Sequence, residues 1–418
     1  MNKVQEFALN LAENLSIDQI YLEWLAAGDE INDYRCILSL GEEYKKVFPD
    51  IDELVNDNMS GFVSYFRDSR CFFINQEILE RMLKGKTDVY TDYSLMFDTN
   101  FASYIYRFIR RKDLHELTDK VNNIIDSIIK GDYNYDYYIY LIENAKQVNE
   151  IYEGSNHIDL NKYVEIKETL IALELFKSIN KDKYINQRKV ETTITEEEAA
   201  ENAKELMNEM YGSKDGKFLC KRYLSMQKAT VLNLIGMLKV QFMSKKNHIN
   251  KMLEYIDFME DKLGTYTERE AFIAYEYFKN RENLSILKKI NKGREQKGLI
   301  EKINNIAWDF SIPRITEDLM RFNEQFYMPT YISIDNGLRE LLRLFPVKGI
   351  VYNDKVSYPI PANDTIWYNE DQRLKQRMME FNTPKTKEKR KRIVEYNRNN
   401  DFSIIEQEYK ELLEIMSK

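Results

Sequence analysis

The sequence predicts an α/β fold that is predominantly helical: a parallel sheet flanked by helices, with a large helical insertion and a helical N-terminal module. Three observations predict it. Only 14 Gly and 7 Pro punctuate the 418 residues, so long helices outnumber tight turns. Apolar residues recur at three- and four-residue spacing along much of the chain, the period of a helix with one buried face. One texture occurs twice, a short apolar run that ends in an Asp and opens a helical pattern, once at Asp98 and once at Asp335.

Residues 1–90 read as the helical N-terminal module, with Phe7, Leu11, Leu15, Ile20, Leu22, Trp24 and Leu25 at helical spacing. From Thr91 to Phe97 the pattern becomes that of a strand, followed by Asp98, Asn100 and the helical series Phe101, Ile105, Phe108 and Ile109. About 112–225 reads as the insertion. It holds a Tyr-rich stretch (Tyr133, Tyr135, Tyr137, Tyr138, Tyr140), read as packing, and a capping box opening at Thr195. A long helix is expected from about Met226 to a stop at Gly264, then a second helix on which Glu270 shares a face with Ile273, Ala274 and Tyr277. An acid on an apolar face requires a partner or a metal. Asp309 sits between Trp308 and Phe310, with Pro313 soon after, so its helix is expected to be short or irregular. The run Tyr331–Ile334, Asp335, the helix Leu338–Phe345 and the strand Val347–Val351 predict a right-handed crossover between parallel strands. The central domain is thus set at 91–355, and 356–418 reads as a helical C-terminal tail.

Composition narrows the chemistry. No stretch reaches the roughly 18 apolar residues of a membrane span, and the first residues lack the layout of a secretion signal, so a cytoplasmic protein without membrane partners is expected. Cys36, Cys71 and Cys220 are scattered and odd in number, a pattern of neither a disulfide framework nor a zinc site. His115, His157 and His248 stand in no Ser or Cys motif, which leaves carboxylates as the candidates for chemistry. The net charge of −8 opposes nonspecific coating of nucleic acid while allowing a local basic groove.

In an open parallel sheet, ligands bind outside the carboxyl ends of the strands, where Asp98 and Asp335 are expected. Crowded carboxylates need a cation, and oxygen ligands alone suit Mg²⁺ or Mn²⁺. Taken singly, an Asp between strand and helix is commonly a helix cap.

Phe97-Asp98-Thr99-Asn100 resembles the first strand and metal-binding Asp of the PIN-domain nucleases. Ile332-Ser333-Ile334-Asp335-Asn336-Gly337-Leu338 with Val347-Lys348-Gly349-Ile350 resembles that family's closing strand, acid, helix and last strand. Glu270 and Asp309 are similar to its two middle acids in order and separation. The resemblance covers about 100 to 120 residues. The 172 residues from Asp98 to Glu270 exceed a compact PIN domain, so Glu168 is the rival second acid and Asp318 the fallback for Asp309. What the resemblance implies is a PIN-like parallel sheet, Mg²⁺ or Mn²⁺ on Asp98, Glu270, Asp309 and Asp335, and metal-dependent cleavage of RNA, or less often DNA. Asn100 and Asn336 would hold the carboxylates. Long chains of this type resemble toxin and phage-defence effectors, which implies an inhibitory or sensor protein partner. Substrate contact would fall to the basic segments Lys385, Lys387, Lys389, Arg390, Lys391 and Arg392 and Lys288, Lys289, Lys292, Arg294 and Lys297, each of which also reads as a solvated helix face. The alternative is a noncatalytic helical interaction or regulatory protein on a degenerate PIN-like scaffold, its acids serving as caps.

Overall fold

The computed structural model describes residues 3–11, 16–39, 51–57, 60–67, 71–85, 92–131, 133–153, 158–293, 298–322, 327–362 and 366–417. Leu15, Thr91, His157, Arg294 and Lys297, named above, lie outside the described residues. The chain divides into two compact units. The first comprises Met1–Lys221, Arg314–Asp335 and Pro346–Ala362, and the second Arg222–Pro313, Asn336–Phe345 and Asn363–Lys418.

In the first unit, α1 (Lys3–Asn10) and α2 (Ile17–Ala27) carry the expected apolar stripe, with Phe7 and Trp24 buried edge to face at 5.3 Å. Ser16 and Gln19 close a capping box at the start of α2. The purely helical reading of residues 1–90 is corrected beyond that point. β1 (Arg35–Ser39), α3 (Ile51–Asn56), β2 (Phe62–Ser64), β3 (Cys71–Ile74) and α4 (Gln76–Leu83) follow. Cys36, Ile37, Leu38 and all of β3 are buried. Such short runs, covered on both faces, show no alternation by which a strand is recognised.

The remaining strands are β4 (Asp92–Phe97), β5 (Asn134–Asp136), β6 (Tyr327–Ile332), β7 (Val347–Tyr352) and β8 (Ser357–Pro361). They complete two four-stranded sheets. One has the order β3-β1-β7-β8 and is antiparallel throughout. The other has the order β2-β6-β4-β5, with β4 parallel to both β6 and β5 and β2 antiparallel to β6. The expected single parallel sheet is therefore reduced to three parallel strands in a mixed α/β architecture. The crossover expectation is corrected as well, because β6 and β7 lie in different sheets. β7 pairs with β1 instead, and Gly349 permits it: a Cβ there would stand 2.6 Å from the Ile37 carbonyl.

After β4 come α5 (Thr99–Ile109), α6 (Thr118–Lys130), α7 (Tyr138–Asn144), α8 (Glu150–Glu153), α9 (Val164–Lys177), α10 (Lys181–Gln187) and α11 (Glu196–Met207). The stretch about 112–225 is helical as expected, apart from β5, which joins the mixed sheet beside β4. Tyr137 and Tyr140 are buried, and the Tyr137 hydroxyl donates to the Leu173 carbonyl at 2.9 Å. The Thr195 capping box forms with Glu198.

The second unit is helical. α12 (Lys214–Met243), α13 (His248–Phe258), α14 (Glu268–Lys279), α15 (Leu299–Phe322), α16 (Asn336–Leu344), α17 (Gln372–Phe381), α18 (Pro384–Asn399) and α19 (Ile404–Ser417) supply it, with α12 and α15 extending into the first unit's segments. Its core includes Leu232, Ile235, Met252, Ile256, Ala274, Ile303, Leu374 and Leu412. The single helix expected over 226–264 is two, because Asn247 caps a new start by accepting from the Asn250 N–H. Gly264 ends the second at φ 77°, the left-handed cap that glycine adopts without strain. Pro313 does not shorten its helix. It lies inside α15, where it leaves the Asp309 carbonyl without its helical hydrogen bond. The tail is helical except for β8.

Candidate active site

Asp98 follows the last residue of β4, and Asp335 stands three residues beyond the last residue of β6. Their strands are parallel neighbours, with Phe97 opposite Ile332. The local sequence explains the placement. Ser94–Phe97 and Met328–Ile332 are buried, which fixes both runs as central strands. Phe101, Ala102 and Ile105 form the buried stripe that turns the chain into α5 immediately after Asp98.

The Asp98 side chain accepts from the Phe101 N–H and so caps α5. It also accepts from the Ser333 hydroxyl. That hydroxyl in turn accepts from the Asp335 N–H at 3.0 Å, and the Ser333 N–H donates to the Gly61 carbonyl at 3.0 Å. One serine thus ties the two strand ends together. Burial pushes the Asp98 carboxyl up to about 6; the Ser333 and Phe101 hydrogen bonds oppose the rise, and the charges of Glu143 and Asp335 add to it. Glu143 comes from α7 and accepts a hydrogen bond from the Thr99 hydroxyl. Three carboxyl groups, Asp98, Glu143 and Asp335, therefore share one electrostatic neighbourhood at the carboxyl ends of the parallel strands.

The other candidates belong to other helices. Glu270 is buried in α14, and Asp309 is half-buried in α15, both within the second unit. Glu168, on α9, pairs with Arg110 at 3.3 Å. Asp318, on the part of α15 in the first unit, pairs with Arg321 at 2.7 Å. Asn100 and Asn336 are exposed at the first turns of α5 and α16. Lys288 pairs with Glu282 at 2.6 Å, and Lys389 with Glu260 and Asp261.

Sequence reasoning missed Glu143. The signal was present in Asn134-Tyr135-Asp136, a third short run ending in an acid before a helix, hidden inside the Tyr-rich stretch. Asp136 itself ends β5, paired with Met96 of β4. Its carboxyl accepts from the Tyr138 N–H at 2.6 Å; burial raises it to about 6, against the pull of Tyr138 and Lys177.

The fit of the acid neighbourhood to a hard cation rests on its donor set, oxygens only, and on the charges that reach Asp98, those of Glu143 and Asp335 being negative. Among the described residues, no group of three or more His, Cys, Asp or Glu side chains is placed to hold a metal ion. Mg²⁺ needs none, since it is commonly held by one or two carboxylates with waters and substrate phosphates. No helix among the described residues is long and apolar enough to cross a membrane. Comparison with models of known protein families, with curated proteins and with solved structures finds no match in any of the three.

Proposed function

We propose that this chain is a divalent-metal-dependent endoribonuclease whose acid site is Asp98, Glu143 and Asp335. The observation that carries the reading is the placement of Asp98 and Asp335 just after two adjacent parallel strands, with the charges of Asp335 and Glu143 both acting on Asp98. Mg²⁺ or Mn²⁺ would be held there, and when bound the ion supplies neutralisation of phosphate charge and a lowered proton affinity of water. The residues do the positioning. Ser333 and the Phe101 N–H fix the Asp98 carboxyl, while Thr99 fixes Glu143. Asp98 is ionised above about pH 6, so its capacity to hold a cation or take a proton rises through that range. The effector role follows from the resemblance to PIN-like toxin and phage-defence chains, with cleavage held in check by an inhibitory or sensor protein.

A noncatalytic reading is favoured by one observation, that Asp98 caps α5. Under that reading the acids tie down their own backbone and the chain acts as a helical interaction protein. RNA cleavage in Mn²⁺ and in EDTA separates the two, with wild type, Asp98→Asn, Glu143→Gln and Asp335→Asn compared. The nuclease reading expects losses beyond the roughly 10- to 100-fold typical of residues that only support a metal ligand. Undiminished cleavage by all three variants, or none by wild type, rejects it.

A further inference from the structure

The sixteen residues of α18 carry seven Lys and Arg against two Glu, in a chain with 61 basic and 69 acidic residues. Its charge is therefore segregated, the electrostatic footprint by which a polyanion would be met. The helix is firmly seated on one side. Lys389 bonds to Glu260 at 2.8 Å, Arg390 lies over the Phe381 ring at 3.8 Å, and the Asn397 amide donates to the Lys262 carbonyl at 2.8 Å. The seat is close, since a Cβ on Gly264 would meet the Arg390 carbonyl at 2.7 Å.

Lys387, Lys391 and Arg398 are exposed and spaced by four and seven residues, so they form one stripe along the helix. At 1.5 Å per residue the stripe spans about 16 Å. Two acids share the outer surface: Glu388, which pairs with Arg392 at 3.5 Å, and Glu395. The basic residues still outnumber them. Such a stripe sets up a local positive potential that draws an anionic partner to this face. We propose that this face of α18 is a docking surface for the phosphate backbone of RNA. The inference rests on the proposed nuclease reading for its choice of RNA, but it concerns binding and not cleavage.

The test is fluorescence anisotropy of a labelled single-stranded RNA of ~20 nucleotides in EDTA, at several salt concentrations, with full-length wild type and the triple variant Lys387→Glu, Lys391→Glu, Arg398→Glu. Loss of three phosphate contacts flattens the dependence of log affinity on log salt by about 2, and weakens binding by about tenfold or more at low salt. Circular dichroism melting verifies the fold, and exposed positions of this kind leave it intact. Equal affinity and slope in the two proteins would overturn the proposal. So would binding by wild type to phosphatidylserine vesicles with none to RNA, or to neither. Because metal is absent, RNA binding that persists in Asp98→Asn alongside a failure of wild type to cleave separates collapse of the nuclease reading from collapse of this one.

Discussion

Replacing Asp98 by Asn should stabilise the protein at neutral pH while removing its metal response. The carboxyl is raised from 3.8 to about 6, chiefly by burial. The sign follows from proton binding. Between these values the folded chain holds a proton that the unfolded chain has released, so stability is full below pH 3.8 and falls as pH rises to about 6. Above that the penalty is complete. A rise of about two units, at 1.36 kcal/mol each, corresponds to about 3 kcal/mol. Asn keeps the cap on α5, because its side-chain oxygen accepts from the Phe101 N–H as Asp does, and it carries no charge to desolvate. Asp136, raised to about 6 in the same manner, is present in both proteins and cancels. Urea unfolding at pH 4 and pH 8 should therefore show Asp98→Asn equal to wild type at the lower pH and more stable by up to about 3 kcal/mol at the higher one. Saturating Mn²⁺ at pH 8 should close the gap, since a ligand at about 100 times its Kd adds about 2.7 kcal/mol to the protein that binds it. A variant less stable than wild type at pH 8, or a gap unchanged between the two pH values, would refute the reasoning.

Further predictions follow from the same geometry. The free-enzyme profile of kcat/KM for RNA cleavage should have an acidic limb near pH 6, set by Asp98; a flat profile from pH 5 to 8 would assign the limb elsewhere. Gly236→Ala should destabilise the second unit by about 1–3 kcal/mol, because a Cβ there would stand 2.3 Å from the Phe258 ring, and denaturant melts would show no loss if α12 and α13 were loosely packed. Glu408 is fully buried, bonded to Lys239 and 2.9 Å from Lys262; Glu408→Ala should cost about 1–3 kcal/mol by removing two charge-assisted bonds while Lys239 keeps Glu411, and a neutral effect by thermal melting would show that water replaces them. Cys36, Cys71 and Cys220 are all buried, and burial raises the Cys36 and Cys220 thiols, the latter to about 12, so a thiol reagent should label none of them until the chain unfolds.

What was legible in the sequence was local. The apolar run before Asp98, the helix after it and the matching texture at Asp335 are covalently adjacent features, and each formed as expected. The left-handed stop at Gly264 and the capping box at Thr195 were legible for the same reason. Partner choice was not legible. Nothing in Val347–Val351 reveals that β7 would pair antiparallel with β1, more than 300 residues earlier, rather than continue the parallel sheet. The strands of residues 1–90 were hidden because Cys36–Leu38 and Cys71–Ile74 are covered on both faces and so lack alternation. Asp98 and Asp335 were picked out by texture, and both follow strands that pair in parallel. Glu143 was missed because its significance lies in the Thr99 hydrogen bond and the charge it presents to Asp98, contacts made across 44 residues. Glu270 and Asp309 were chosen by order and spacing, which say nothing of the face of its helix that each residue occupies.

The most direct test of a cation site among these carboxyl groups is Mn²⁺ binding followed by electron paramagnetic resonance at pH 8, on wild type and on Asp98→Asn, Glu143→Gln and Asp335→Asn. Wild type should quench the free-ion signal with saturable stoichiometry, and each variant should weaken that binding by at least about tenfold. Equal quenching by all four proteins, or none by wild type, would contradict the account.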